Sequence, residues 1–194
     1  MDEYHLVGDY CLSTNGEVRT VLLVSNTSFE EISTIYLDYR SRSSVTLCRI
    51  LAAKAWKREY RWFPAPEEFD ITSMQHGEAA VMIGDRCFEY ARYFRYRLDL
   101  GLEWKEFTGL PFVFACWVSA RLLPERFTTL FNRALGDGLA RRNESVALLK
   151  EGTVATHEEV IFYLNHNMDY RLDDRKREAL TRFIDYIKEL KIIP

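Results

Sequence analysis

With four cysteines, four histidines and five prolines in 194 residues, the chain is poor in the residues that most often announce chemistry. Cys11, Cys48, Cys87 and Cys116 stand far apart, and no two of them form the short spacing of a zinc site or a redox dithiol. Each sits among apolar neighbours, which reads as a buried free thiol. The acidic start MDEYHLVGDY has neither the basic nor the apolar part of a secretory leader, and together these features point to the cytoplasm. His5, His76, His157 and His166 are equally scattered, with no pair at metal-binding spacing. No window approaches the roughly 20 apolar residues of a membrane span. A net charge of −3 and an isoelectric point near 5.9 argue against bulk attraction to nucleic acid and leave room for a local anion site. P-loop, dinucleotide-binding and nucleophile-elbow motifs are missing as well.

What is present is a hydrophobic fraction of 47%, enough for the core of one domain or two small lobes. DYCLSTNGEVRTVLLVS reads as strand, turn and strand, with Asn15-Gly16 as the turn and a β-rich run from Val18 to Val24. TSFEEIS is a short helical turn, and a strand follows over 34–39. SRSSVTLCRILAAKAW predicts a helix, because Val45, Cys48, Ala52 and Ala55 recur at three- and four-residue spacing, with Leu51 beside them. YRWFPAP is a strand stopped by Pro64 and Pro66. EAAVMIGD is an apolar strand over 79–83 that runs into Gly84-Asp85, with a helix after it in RCFEYARYF. This alternation predicts a parallel or mixed α/β sheet. Further on, Phe112 to Trp117 reads as a core strand, entered by a turn crowded with Trp104, Phe107, Thr108 and Gly109. The rest is helical: PERFTTLFNRALGDGLARR, with Gly136 and Gly138 as candidate breaks, then HEEVIFYLNHNM and DDRKREALTRFIDYIKELK. Asp173 and Asp174 suit the start of the last helix, and Lys188 and Lys191 its end.

Two strand-to-helix turns are the places for chemistry. If the strands before them are parallel, both turns open on the crevice at the sheet's carboxyl edge. DYRSRSSV offers helix-start N–H groups, the hydroxyls of Ser41, Ser43, Ser44 and Thr46, and positive charge from Arg40, Arg42 and Arg49, which together suit a carboxylate or phosphate. Ordinary serine capping with solvated arginines accounts for the same residues. In MIGDRC, Gly84 lets a ligand approach the backbone, and Asp85 either holds a substrate hydroxyl or caps the next helix. The arginine–aromatic alternation of YARYFRYRLDL and KREYRWF reads as half-buried structure and not as a nucleic-acid surface.

The segments SRSSVTLCRIL, AAVMIGDRCF and DLGLEWKEFTGLPFVFACWVSAR, in that order, resemble the MqnA family, the chorismate dehydratases of the futalosine route to menaquinone. The resemblance runs from DYCLSTNGEVRTVLLVS to the YLNHNMDYRL region. It implies a periplasmic-binding-protein-like type II fold in a cytoplasmic enzyme, with two lobes joined by crossing strands near Val18 to Val24 and Phe112 to Trp117. On that pattern, 1–30 holds part of the first lobe and the first crossing strand. Residues 31–111 form the second lobe, and 112–194 the return strand with the first lobe's C-terminal helices. The resemblance implies that Ser43, Ser44, Thr46, Gly84, Asp85, Thr108 and Gly109 bind substrate, namely the carboxylates of chorismate or its product. It implies no cofactor, no metal, no nucleic-acid or membrane partner, and leaves homo-oligomerisation open. Family members open with a βαβ unit bearing a SYLN-like segment that this chain lacks. The N-terminal part of the first lobe is therefore expected to be missing, and the catalytic residues stay unassigned. The alternative is a non-catalytic module of the same fold that binds a small carboxylate.

Overall fold

VLLVS shows no polar alternation because its strand, β2 (Val21–Ser25), is buried on both faces. The computed structural model describes residues 4–38, 40–66, 68–148 and 154–192. In it β2 belongs to a five-stranded sheet with β3 (Thr34–Leu37), β4 (Arg61–Pro64), β5 (Glu78–Ile83) and β6 (Tyr96–Asp99), in the order β4-β3-β5-β2-β6. β3 is parallel to both β4 and β5, while β2 runs antiparallel to β5 and β6. The mixed α/β sheet expected from the alternation is present. The carboxyl ends of β3, β4, β5 and β6 therefore share one edge with the start of β2.

Val21 and Leu23 point to one face, where Leu47, Cys48 and Ile50 of α1 (Arg42–Ile50), Leu51 just after it, and Trp104 of α3 (Leu100–Thr108) cover them. Leu22 and Val24 point to the other, against Ile71, Cys87 and Phe94. A π-helical segment, Leu51–Trp56, prolongs α1, and the short α2 (Arg86–Tyr90) follows β5. The second sheet is antiparallel: β1 (His5–Thr14) lies between β7 (Phe112–Ser119) and β8 (Asp169–Arg171). Around it stand α4 (Glu125–Ala140), α5 (Arg142–Val146), α6 (His157–Phe162) and α7 (Asp174–Leu190). Phe112 and Phe183 reach from this side into the core of the larger sheet, their rings 5.1 Å apart and edge-on, with Trp104 5.4 Å from Phe112.

Several expectations need correction. The segment before Gly109 is a helix and not a crowded turn. Asp99 caps α3, accepting the N–H groups of Gly101 and Leu102, and Gly109 at φ +73° ends it. β2 pairs along its length with β5 and β6, and β7 with β1. The chain changes sheets in the short stretches 15–20 and 109–111, so Asn15-Gly16 turns the chain without joining a hairpin. β7 is buried only at its start, since Ala115, Trp117 and Val118 are exposed. α4 runs through Gly136 and Gly138 without a break. A Cβ on Gly136 would lie 2.9 Å from the Tyr10 hydroxyl, so the glycine serves close packing. β6 and the three-residue β8 were not anticipated. The strand expected over 34–39 ends at Leu37, and Tyr39 lies outside the described residues. Among the described residues, no helix is long and apolar enough to cross a membrane.

Candidate functional site

β3 and β5 are adjacent and parallel, pairing Thr34 with Glu78 and Tyr36 with Ala80, so the segments that follow them leave the same edge of the sheet. The two turns singled out in the sequence are thus neighbours on one sheet edge.

In the first turn Ser41 is the cap. Its Oγ accepts the Ser44 N–H at 3.2 Å and donates to Ser44 Oγ at 2.9 Å, while Ser43 Oγ lies 3.3 Å away. Ser44 and Thr46 are buried, and Ser43 is half-buried. Because Ser44 Oγ accepts from Ser41, its own proton remains for a further acceptor. The N–H groups of Arg42 and Ser43 have no partner within the helix, as at any helix start. No acidic residue occupies the first turn of α1, so its dipole there is unopposed from within the helix. Just before the turn stands Asp38, 4% exposed, which accepts the Arg40 N–H at 3.0 Å. A cavity of about 400 Å³ flanks this turn on the β4 side, lined among others by Asp38, Ser41, Thr46, Arg49 and Trp62. The Arg49 guanidinium lies 5.6 Å from the Trp62 ring centroid, with Nε buried and unpartnered.

In the second turn Gly84 has φ +69°, the left-handed region. Its N–H donates to the Thr20 carbonyl at 2.9 Å, and its carbonyl accepts from Cys87 at 2.9 Å. A Cβ built there meets nothing within 4 Å, so the space over the turn is open. Asp85 stands at the start of α2, yet its side chain caps no backbone N–H. The capping role weighed for it is not realised, and its exposed carboxylate is left for a ligand. Cys87 is buried; burial pushes its thiol far up and keeps it protonated, so it is no nucleophile despite its place in the first turn of a helix.

Tyr163, which sequence reasoning missed, belongs to the same edge. It opens a π-helical segment, Tyr163–Asn167, that follows α6. Its hydroxyl lies 3.0 Å from Thr20 Oγ1, and its ring and that of Phe88 stand perpendicular, centroids 5.6 Å apart. Burial pushes the phenol's pKa up, opposed by the Thr20 hydrogen bond and aided by the charge of Asp85.

Ser43, Ser44 and Thr46 of α1 and the Gly84-Asp85 turn thus follow the carboxyl ends of two adjacent parallel strands, β3 and β5. Thr108 and Gly109 have other contacts. Thr108 Oγ1 donates to the Trp104 carbonyl and accepts the Leu110 N–H, closing α3, and the Gly109 carbonyl accepts from Arg175 of α7 at 2.7 Å. Among the described residues, no three His, Cys, Asp or Glu side chains converge as they would on a metal ion. The edge offers backbone N–H groups and serine hydroxyls at the start of α1, and the exposed Asp85 carboxylate at the start of α2.

Three comparisons bear on this geometry. A family model described as menaquinone biosynthesis matches residues 1–189. The chorismate dehydratase of Thermus thermophilus is 25% identical over 203 aligned residues, which take in 95% of this chain and 73% of that protein. The crystal structure of protein AF1704 from Archaeoglobus fulgidus superposes with a TM-score of 0.66 at 16% identity, over 99% of this chain and 75% of that one, a likeness of fold.

Proposed function

The chain belongs to the menaquinone biosynthesis family, and from that premise we propose that it is a chorismate dehydratase-type lyase. The reaction removes water from chorismate to give 3-[(1-carboxyvinyl)oxy]benzoate. The ring carbon bearing the enolpyruvyl ether loses its proton, the C–O bond to the hydroxyl on the neighbouring carbon breaks, and the ring becomes aromatic. The step is redox-neutral. The observation that carries this reading is the placing of the α1 start and the open Gly84-Asp85 turn after two adjacent parallel strands, in a chain matched by the family model almost from end to end.

On this reading the N–H groups of Arg42 and Ser43 and the hydroxyls of Ser43 and Ser44 receive a substrate carboxylate. Gly84 lets the ring lie against the backbone, and Asp85 orients the hydroxyl that leaves. Thr46, on α1 at the adjoining cavity, and Thr108-Gly109, which close α3, are further substrate-binding candidates. The hydrogen lost and the hydroxyl lost lie on the same face of chorismate. The enolpyruvyl carboxylate is tethered beside that hydrogen, so the substrate carries a base within reach and positioning supplies the rate. The two lobes are the five-stranded sheet with α1 to α3 and the three-stranded sheet with α4 to α7, in a periplasmic-binding-protein-like type II arrangement. The pathway is the futalosine route, and the free thiols, of which Cys11, Cys48 and Cys87 are buried and Cys116 half-buried, fit a reducing, cytoplasmic setting.

The test is incubation with chorismate and chromatographic detection of the aromatic product. Product formation above the uncatalysed rate supports the lyase. Saturable chorismate binding without turnover would replace it with the carboxylate-binding module, and no binding would defeat both.

A further inference from the structure

The passage between the sheets, residues 15–20, is gripped at two points by one π-helical turn. At its far end Asn167, 7% exposed, donates from Nδ2 to the Glu17 carbonyl at 3.1 Å. At its near end the Tyr163 hydroxyl meets Thr20 Oγ1 at 3.0 Å. The wide turn is closed by the Met168 N–H on the Tyr163 carbonyl at 3.1 Å, the five-residue step that defines it. π-Helical turns are uncommon and often mark functional places, and this one sits where the two sheets meet.

Thr20 carries the contact onward. It is buried, and its carbonyl accepts the Gly84 N–H at 2.9 Å. Gly84 is in the left-handed region with open space above it, so no side chain packs the turn from that side. Its orientation depends on the hydrogen bonds at its own N–H and carbonyl. One of those partners, Thr20, is held by Tyr163. The other, Cys87, belongs to α2, whose Phe88 ring packs perpendicular to the Tyr163 ring. Tyr163 therefore bears on both supports of the turn, through a hydroxyl on one side and a ring on the other.

We propose that Tyr163 is a positioning residue of the chorismate site: through Thr20 its hydroxyl fixes the Gly84-Asp85 turn in the orientation that meets the substrate. The proposal rests on the lyase reading of that sheet edge. Burial keeps the phenol protonated at neutral pH, so the hydrogen bond persists over the working range. A residue that only filled space would act through its ring, and phenylalanine would replace it without consequence.

The experiment compares the wild-type chain with Tyr163→Phe and Thr20→Val, two changes that preserve shape and remove one hydroxyl each. Chorismate affinity is measured by calorimetry, and the exchange rate of the Gly84 amide by NMR, with thermal unfolding and circular dichroism as controls. Loss of one hydrogen bond between neutral groups is expected to weaken affinity roughly threefold to tenfold. Gly84 exchange is expected to quicken by a similar factor, with a native spectrum. The double variant is expected to be no worse than either single one, because both remove the same bond. Unchanged affinity in Tyr163→Phe, or an unchanged Gly84 exchange rate, would overturn the proposal. Should Tyr163→Phe fold poorly, the same two readings on Thr20→Val decide. A wild-type chain that binds no chorismate would overturn the lyase reading and this proposal together; the amide exchange would then still show whether the two residues are coupled, which tells that failure from the first.

Discussion

Asp99 Oδ2 accepts the backbone N–H of Arg19 at 2.6 Å across 80 residues of sequence. The same carboxylate takes the Val18 N–H at 3.0 Å and caps α3 through the Gly101 and Leu102 N–H groups at 3.0 Å. One side chain thus ties the passage from β1 to β2, where Arg19 adopts φ +64°, to the first turn of the helix that follows β6. Asp99→Ala strands these donors, and the expected cost is at least about 2 kcal/mol, since each unsatisfied buried group costs about 1–3 kcal/mol. Asp99→Asn keeps one acceptor oxygen but turns an NH2 toward the donors on the other side, so it is expected to cost less than Asp99→Ala without restoring both sets of bonds. Urea unfolding of both variants checks the order; a loss below about 0.5 kcal/mol in Asp99→Ala would show that the stranded donors find water.

Gly101 and Gly138 both lie in helices, and opposite results are expected from the same substitution. A Cβ on Gly101 would sit 2.7 Å from Thr14 Cγ2 and 2.8 Å from the Gly16 carbonyl, where the three-stranded sheet hands the chain over to the larger one. Gly101→Ala is expected to destabilise by about 1–3 kcal/mol, as overpacking does. A Cβ on Gly138 meets nothing within 4 Å, so Gly138→Ala is expected to stabilise α4 by about 0.5–1 kcal/mol. Thermal unfolding of the pair decides the matter, and a fall in both midpoints would discredit the packing account of Gly101.

Local chemistry made much of this legible in advance. The α1 stripe is a repeat within one helix, the apolar run of β5 is a fully buried strand, and Ser41, Ser43, Ser44, Gly84 and Asp85 occur in turns that immediately follow strands. Such signals need no knowledge of distant residues. α3 was hidden because Trp104 and Phe107 read as turn packing, while the evidence for a helix lay in its two ends, Asp99 as cap and Gly109 in the left-handed region. β8 has three residues and no period to detect; it exists because β1 offers a free edge. Tyr163 lay beyond reach for the same reason. Its partner Thr20 is 143 residues away, and a helical pattern in HEEVIFYLNHNM gives no sign of the wider turn that aims the phenol. Which serine caps α1 was decided by backbone geometry: Ser41 is extended at φ −141°, and Ser43 and Ser44 are already helical.

Ser44 offers the most direct test of the anion site. Its hydroxyl is buried and accepts from Ser41, leaving one proton to donate. Ser44→Ala is expected to weaken binding of chorismate, or of a benzoate bearing the same carboxylate, by about 1–3 kcal/mol. Ser41→Ala is expected to act on stability instead, by about 1 kcal/mol, the usual value of a lost cap. Calorimetric titration beside urea unfolding separates the two. Full affinity in Ser44→Ala would remove that hydroxyl from the site.

Lys176 is 2% exposed, yet it lies in the first turn of α7 with its Nζ 2.7 Å from Asp169 of β8 and 2.9 Å from Asp173, the cap of that helix. The triad fastens α7 to the edge strand of the smaller sheet. Burial alone would lower the lysine's pKa, but hydrogen bonds and charge from Asp169 and Asp173 outweigh it and hold the group above its ordinary value. For Asp173, burial pushes upward and the Lys176 hydrogen bonds outweigh it, holding the carboxyl below the usual range. The signs follow. A carboxyl with a lowered folded pKa contributes fully above its unfolded value, near 3.9, and the contribution is lost as the pH falls through the folded pKa. A lysine with a raised folded pKa contributes fully below about 10.4 and loses that contribution as the pH rises through the folded value. The triad is therefore expected to hold constant strength from about pH 5 to pH 10. Both carboxylates are partly exposed and stay hydrated without their partner, so Lys176→Met, of similar length and apolar, is expected to change stability at pH 7 by no more than about 1–2 kcal/mol and to flatten both limbs. The double variant Asp169→Asn, Asp173→Asn instead leaves a buried ammonium unpaired, at an expected cost of about 3–5 kcal/mol. Its lysine pKa would then drop below the unfolded value, so stability should climb as the pH is raised from 7 toward 10, opposite to the wild-type alkaline limb. Urea unfolding at a series of pH values reads these slopes, and a double variant whose stability does not rise with pH would show that Lys176 finds another partner or water.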